Sequence, residues 1–183
     1  MSEKEKMLNG KFYDPTDCEL KKDRVEARKL IHSLNQLSPA EGIRKKEIIK
    51  QLMGTTGKEF CVEPPFYCDY GYNIEVGENF YANFNCIILD VNKVFIGDEV
   101  KLGPGVHIYT ASHPCDPEER LAKTEYGKKV VIGDNVWIGG GTIILPGVEI
   151  GSNTTIGAGS VVTKDIPANV IAVGHPCEVI KKF

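Results

Sequence analysis

The sequence predicts a mainly β chain wound as a parallel β-helix, with a small α-helical part ahead of it. Three observations carry this. Between residues 74 and 165, aliphatic or small side chains return every six positions: Val76, Ala82, Ile88, then Ile96, Leu102, Ile108, then Ile132, Ile138, Ile144, Ile150, Ile156 and Val162. A second row stands two residues earlier, at Ile74, Phe80, Cys86, Val94, Val100, Val106, Val130, Val136, Thr142, Val148, Thr154 and Ser160. Gly often follows the first row, as at Gly77, Gly97, Gly103, Gly133, Gly139, Gly151 and Gly157. Helices and hairpins do not repeat at this period, whereas short stacked rungs do.

Residues 1–57 read differently. From Asp23 to Gln36, Val25, Ala27, Leu30, Ile31 and Leu34 recur near helical spacing with charges between them. Ser38-Pro39-Ala40-Glu41 then places a cap, a Pro at the first helical position and a Glu three residues after the cap. The second helix would turn Ile43, Ile48, Ile49, Leu52 and Met53 to a core and end at Gly54 and Gly57. Two such helices bury too little to stand alone, so they should pack on the solenoid or on a neighbouring subunit. Residues 58–73 connect the parts through Pro64-Pro65 and the aromatic residues Phe66, Tyr67, Tyr70 and Tyr72.

In residues 74–165 the corners should use Gly with Asp, Glu, Asn or Ser, as in Gly77-Glu78-Asn79, Gly133-Asp134-Asn135 and Gly151-Ser152-Asn153, types that tolerate positive φ. The spacing slips twice. Val91-Asn92-Lys93 reads as a small bulge, and about residues 111–129 form a polar excursion that fits no coil. Residues 166–183 leave the repeat through Pro167 and Pro176 and should close the open end of the solenoid.

Composition sets bounds. With 183 residues the chain can bury one good core, and a formal charge of -3 argues against a broad nucleic-acid surface. No apolar stretch has membrane-spanning length, and MSEKEKML lacks the apolar core of a signal peptide, so a cytoplasmic location is expected. The six cysteines show no C-x-x-C pair and no zinc-finger spacing, which predicts free thiols in a reducing compartment. Cys86 falls on an inward row, and Cys115 has no obvious base to make it a nucleophile.

Taken together, the helical start, the hexapeptides and the excursion resemble the maltose and galactoside O-acetyltransferase family over essentially the whole chain. The motifs are Val62-Glu63-Pro64-Pro65, Cys68-Asp69-Tyr70-Gly71-Tyr72-Asn73, Tyr81-Ala82-Asn83-Phe84-Asn85, Tyr109-Thr110-Ala111-Ser112-His113-Pro114, Asn135-Val136-Trp137-Ile138-Gly139 and the run from Gly157 to Asp165. Many acyltransferases share hexapeptides; the aromatic segment and the His-Pro loop are more specific. The maltose branch is the nearer match, through Cys68 to Asn73 and Leu89-Asp90-Val91. The resemblance implies a left-handed coil of triangular section. The pattern does not reveal handedness, and the general crossover rule favours the right hand. It also implies acetyl-CoA as donor, a sugar hydroxyl as acceptor and no metal, in a homotrimer whose active sites lie between adjacent subunits.

The chemistry needs a base to take the proton of a poorly nucleophilic hydroxyl, and a donor for the charge that develops on the thioester oxygen. Of the four histidines, His32 lies on the first helix, His107 should point outward beside Ile108, and His175 lies in the terminal cap. His113 begins the excursion and matches the family's catalytic His-Pro position. On the acceptor side the resemblance implies Asn83, which otherwise belongs to a buried Asn ladder, and Asp69, which otherwise is a solvated turn residue. Asp69 stands where the galactoside branch carries a smaller hydroxyl residue. Asp90 is either a sugar contact or a corner residue, and Tyr81 is either an aromatic face for the sugar or a core plug. Asp17 and Asp14 both lie near the family's N-terminal acceptor contact, where the match slips and does not choose between them. On the coenzyme side the resemblance implies Gly140 as a backbone donor toward the thioester and Trp137 as a cleft wall. Ala158, Thr163 and Lys164 match the coenzyme groove; Lys164 and Lys181 face phosphates or solvent. A family Arg position is Glu178 here. Two other readings compete. A zinc carbonic anhydrase on the same coil needs three converging histidines, of which only His107 and His113 lie close in sequence. A trimeric scaffold without turnover is the other.

Overall fold

The computed structural model describes residues 1–122 and 124–183; Lys123, within the expected excursion, lies outside the described residues. The coil has three faces of short parallel strands. The first stacks Phe60–Val62, Phe80–Ala82, Lys101–Leu102, Trp137–Ile138, Thr155–Ile156 and Val170–Val173, with Glu178–Lys182 added antiparallel at the end. The second stacks Phe66–Cys68, Cys86–Leu89, His107–Tyr109, Ile143–Ile144 and Val161–Val162. The third stacks Ile74–Val76, Val94–Ile96, Val130–Ile132 and Glu149–Ile150. Each rung therefore crosses three faces and turns three corners.

This geometry explains the six-residue period. Alternate residues of a strand share a side, so two per hexapeptide point inward and the corner uses the rest. Every residue of both predicted rows is buried. The hydroxyls inside the coil are all engaged. Thr142 Oγ1 donates to Gly139 O at 2.7 Å, Thr154 Oγ1 to Pro167 O at 3.0 Å and Ser160 Oγ to Gly157 O at 2.6 Å.

The Gly-x-Asn corners take positive φ, as their residue types allow. It falls on Asn79, Asn135 and Asn153, and again on Asn169 after Pro167-Ala168, not on the Gly that opens the corner. That Gly is required by stacking. A Cβ on Gly97 would lie 2.2 Å from Asp134 Oδ1 and 2.9 Å from Asp134 N, in the next rung. Rungs about 4.8 Å apart leave no room for it. The corner asparagines stack in register, with Asn135 Nδ2 donating to Asn153 Oδ1 at 2.9 Å and Asn153 Nδ2 to Asn169 Oδ1 at 3.1 Å. This ladder is exposed and contains no Asn83.

The helical part holds three helices rather than two. The unforeseen one, α1 (Glu3–Leu8), carries a capping box in which Ser2 and Glu5 each bond the other's backbone N–H. The second, α2 (Cys18–Asn35), starts five residues before the expected Asp23 because Asp17 caps it. The third, α3 (Gly42–Leu52), starts after the expected cap. Ser38 and Glu41 do exchange bonds, Ser38 N–H to Glu41 Oε2 at 2.8 Å and Glu41 N–H to Ser38 O at 3.0 Å, but they close a turn ahead of the helix. Ile43 is consequently 81 % exposed, and Ile48, Ile49 and Leu52 form the buried stripe. Helices α2 and α3 join the coil core through Ile31, Leu34, Ile49 and Phe66. Asn35 covers the open edge of the first rung, donating Nδ2 to Phe66 O at 3.1 Å and accepting from Phe66 N–H at 3.0 Å.

A smaller cluster, Met7, Tyr13, Leu20, Tyr70 and Val91, ties the N-terminal arm to the coil. The predicted bulge is its socket. Asn92 Nδ2 donates to Met7 O at 3.2 Å and Gly127 O at 3.2 Å. The described residues of the excursion form a hairpin: Ala111–Ser112 pairs antiparallel with Tyr126–Gly127, and a short helix, α4 (Pro117–Arg120), is capped by Asp116. At the far end Val170–Val173 continues the first face and Glu178–Lys182 folds back along it.

Candidate functional site

The corner between the second and third faces carries a cavity of about 340 Å³. Its walls include Asp69 and Tyr70 from the connecting segment, His113 and Glu125 from the excursion, and Arg24 and Arg28 from α2. His113 is exposed, just beyond the strand Ala111–Ser112, with Pro114 buried behind it. Its Nδ1 lies 3.4 Å from Thr124 O. A carbonyl only accepts, so Nδ1 is the donor in this contact.

The charges in this cavity oppose one another. Burial raises the Asp69 carboxyl above its ordinary range, while the Arg24 and Arg28 guanidinium groups pull it back. Arg24 donates to Tyr70 OH at 2.5 Å and to Pro15 O at 2.6 Å. Glu125 Oε2 accepts from Tyr13 OH at 2.7 Å. Two carboxylates, Asp69 and Glu125, and two guanidinium groups, Arg24 and Arg28, thus share the lining, so their formal charges balance.

Two expected acceptor contacts are corrected. Asp90 is 0 % exposed and turns into the corner, where its carboxylate accepts N–H bonds from Tyr70 at 2.9 Å, Asp69 at 3.0 Å and Asn73 at 3.3 Å. It builds the turn that displays Asp69 and Tyr70, and a substrate cannot reach it. Asp17 caps α2 through Oδ1, accepting from Glu19 N–H at 2.9 Å and Leu20 N–H at 3.3 Å, and does not line the cavity. Asp14 likewise holds Thr16 at 2.7 Å, and only Pro15 between them lines the cavity. Asp17 is drawn to the helix start by its unpaired N–H groups, whereas Asp14 closes the turn ahead of it.

The remaining candidates lie elsewhere. Asn83 occupies the corner between the first and second faces, its Oδ1 accepting Phe84 N–H at 2.8 Å. Gly140 and Ala158 stack on that same corner, where a Cβ on Gly139 would lie 2.4 Å from Ala158 N. Among the described residues neither the Gly140 nor the Ala158 N–H has a backbone acceptor. Trp137 is 58 % exposed on the outside of the first face, in a column with Tyr81, Lys101 and Thr155, so Tyr81 is no core plug. Thr163 and Lys164 lie on the His113 corner, two turns further along the coil, and Lys164 Nζ pairs with Glu178 at 2.8 Å and 3.0 Å. Lys181 Nζ sits 5.6 Å from the Phe183 ring centre on the closing strand.

Within one chain, then, the second face separates two half-sites. Its outward column reads Tyr67, Ile87, His107, Ile143 and Val161, apolar apart from His107, whose Nδ1 is 2.6 Å from Tyr109 OH. Among the described residues of one chain no group of three or more His, Cys, Asp or Glu could hold a metal ion. No helix there is long and apolar enough to cross a membrane. All six cysteines are free.

Comparison with known proteins decides the family. Residues 6–57 match the maltose acetyltransferase hexapeptide capping motif, and residues 129–164 match six bacterial transferase hexapeptide repeats. A galactoside O-acetyltransferase of Escherichia coli is 45 % identical over 98 % of this chain and 88 % of its own. The chain belongs to the maltose and galactoside O-acetyltransferase family. Solved acyltransferase structures agree. A maltose O-acetyltransferase from Clostridium difficile 630 is 57 % identical with TM-score 0.99, covering 100 % of this chain and 98 % of the other. A galactoside acetyltransferase in complex with coenzyme A is 43 % identical with TM-score 0.96, covering 100 % and 91 %.

Sequence reading missed Arg24, Arg28, Tyr70, Glu125 and Tyr13. They come from segments far apart in the chain, and charged residues on a helix or loop carry no periodic signal. The one local hint was Glu125 within an excursion that no coil explains.

Proposed function

We propose that this acetyltransferase moves the acetyl group of acetyl-CoA to a hydroxyl of a sugar such as maltose, glucose or a related glucoside, in sites formed between adjacent copies of a homotrimer. The observation that carries the reading is the split site. His113 and the acceptor cavity border one edge of the largely apolar second face, and Asn83, Gly140 and Ala158 border the other. Packing second faces around a threefold axis brings the two edges together between neighbours.

The sugar hydroxyl attacks the thioester carbonyl as His113 Nε2 takes its proton. The oxyanion is met by an outward backbone N–H, for which Gly140 is the candidate. The tetrahedral intermediate then expels the coenzyme A thiolate, which receives the proton from His113. Ala158 N–H suits an amide of the pantetheine arm, and Trp137 walls the cleft. Thr163, Lys164 and Lys181 are left for the outer coenzyme, with Glu178 restraining Lys164. Asp69, Asn83 and Tyr81 hold the acceptor. Free thiols and acetyl-CoA both fit a cytoplasmic setting.

Release of free thiol from acetyl-CoA should depend on added sugar, with maltose or glucose exceeding a galactoside, because Asp69 offers a carboxylate to sugar hydroxyls. Galactoside preference would overturn the maltose assignment. Absence of turnover with every sugar and alcohol tested would favour a scaffold without turnover.

A further inference from the structure

We infer that the N-terminal arm acts through Tyr13 as a positioning element for His113, fixing the Thr124 carbonyl on which the imidazole rests. This rests on His113 being the base. The excursion has little core of its own: residues 115–122 are all exposed. Yet the stretch facing His113 is held firmly. Tyr13 N–H donates to Glu125 O at 2.9 Å, Glu125 N–H donates to Tyr13 O at 3.1 Å, and Tyr13 OH donates to Glu125 Oε2 at 2.7 Å. Two residues on, Gly127 O accepts from Asn92 Nδ2, the same amide that bonds Met7 O in the arm. Thr124 immediately precedes the clamped Glu125.

The arm can bear this load because it is packed. Tyr13 is 1 % exposed and Met7 0 % exposed, in contact with the cluster containing Leu20, Tyr70 and Val91. Burial and the neighbouring carboxylate hold the Tyr13 hydroxyl protonated, so it donates at all working pH values. The hairpin register places Ser112 opposite Tyr126, which sets His113 across from the clamped segment. Tyr13 is not in the cavity wall and touches no substrate; it acts through Glu125 and Thr124. A carbonyl held at this point selects the tautomer with Nδ1 protonated and Nε2 free.

Tyr13→Phe removes only the hydroxyl. The expected result is a kcat about five-fold lower, the value of one lost hydrogen bond, with KM for acetyl-CoA unchanged. In nitrogen-15 spectra of the folded variant the His113 ring should shift toward the tautomer protonated on Nε2, and the acid limb of the kcat profile should move to lower pH. His113→Ala is assayed beside it. If His113→Ala is inactive but Tyr13→Phe keeps wild-type kcat and ring signals, the clamp is overturned and the base assignment stands. A loss of kcat with the Nδ1-protonated tautomer intact, or a loss of thermal stability alone, also overturns it. Activity in His113→Ala instead removes the base assignment on which the clamp depends.

Discussion

His113→Ala lowers kcat by about a thousand-fold, the range for removing a general base that acts in the transition state. KM for acetyl-CoA changes less than two-fold, because the ring faces the acceptor cavity while Gly140 and Ala158, the candidate contacts of the coenzyme's reactive end, lie on the other corner. Thermal stability and assembly stay as in the wild type. The ring is exposed and contributes one long contact, 3.4 Å, to Thr124 O. Kinetics with sugar and acetyl-CoA varied separately, together with unfolding and sedimentation of the variant, check this. Near-normal turnover would mean that the hydroxyl loses its proton to some other group.

Asp90→Ala is expected to cost about 4 kcal/mol of stability, since it leaves three backbone N–H groups without their acceptor. For a chain of this length that is a fall in Tm of about 10 °C. Asp69 and Tyr70 ride on the same turn, so KM for the acceptor rises while KM for acetyl-CoA does not. The carboxyl also has a pH signature. Burial pushes it up from 3.8 to about 7, against the lowering effect of the Tyr70, Asn73 and Asp69 N–H groups, and the nearby Asp69 adds to the rise. A folded value above the unfolded one means that the folded state holds the proton more tightly. The stabilisation is complete below the unfolded value of 3.8 and is lost as pH rises through about 7. The margin of the wild type over Asp90→Asn should therefore shrink between those limits, which unfolding curves across the pH range measure. A margin that grows with pH would contradict the buried carboxyl described here.

The coil was legible because a three-sided helix of rungs returns an inward pair every six residues. Both rows could be read down to Thr142 and Ser160, whose hydroxyls bond inside the coil. The excursion was legible as a departure from that rhythm, and His113 through its Pro neighbour and the family resemblance. Other features were not. Helix α1 was overlooked because its charged sequence was read only for a leader, although Ser2 and Glu5 spell a capping box. Asp90 and Asp17 look like site residues because carboxylates at corners and helix starts serve substrates or backbone N–H groups equally well. Only the geometry separates the two uses. Arg24, Tyr70 and Glu125 meet through tertiary contacts that no spacing announces. The Gly of each corner was read as a turn residue, whereas its lack of a side chain lets the next rung approach.

The separation of His113 from Asn83 by a whole face of one chain is the observation on which the proposed mechanism stands. It is tested most directly by co-expressing two differently tagged chains, His113→Ala and Asn83→Ala, and purifying assemblies that carry both tags. Each variant alone should be nearly inactive. In a mixed trimer the intact His113 of one chain meets the intact Asn83 of its neighbour at one site in three, so about a third of all sites in the doubly tagged assemblies are restored. Recovery near that level is the predicted result; mixed assemblies no more active than either parent would show that both residues must come from the same chain.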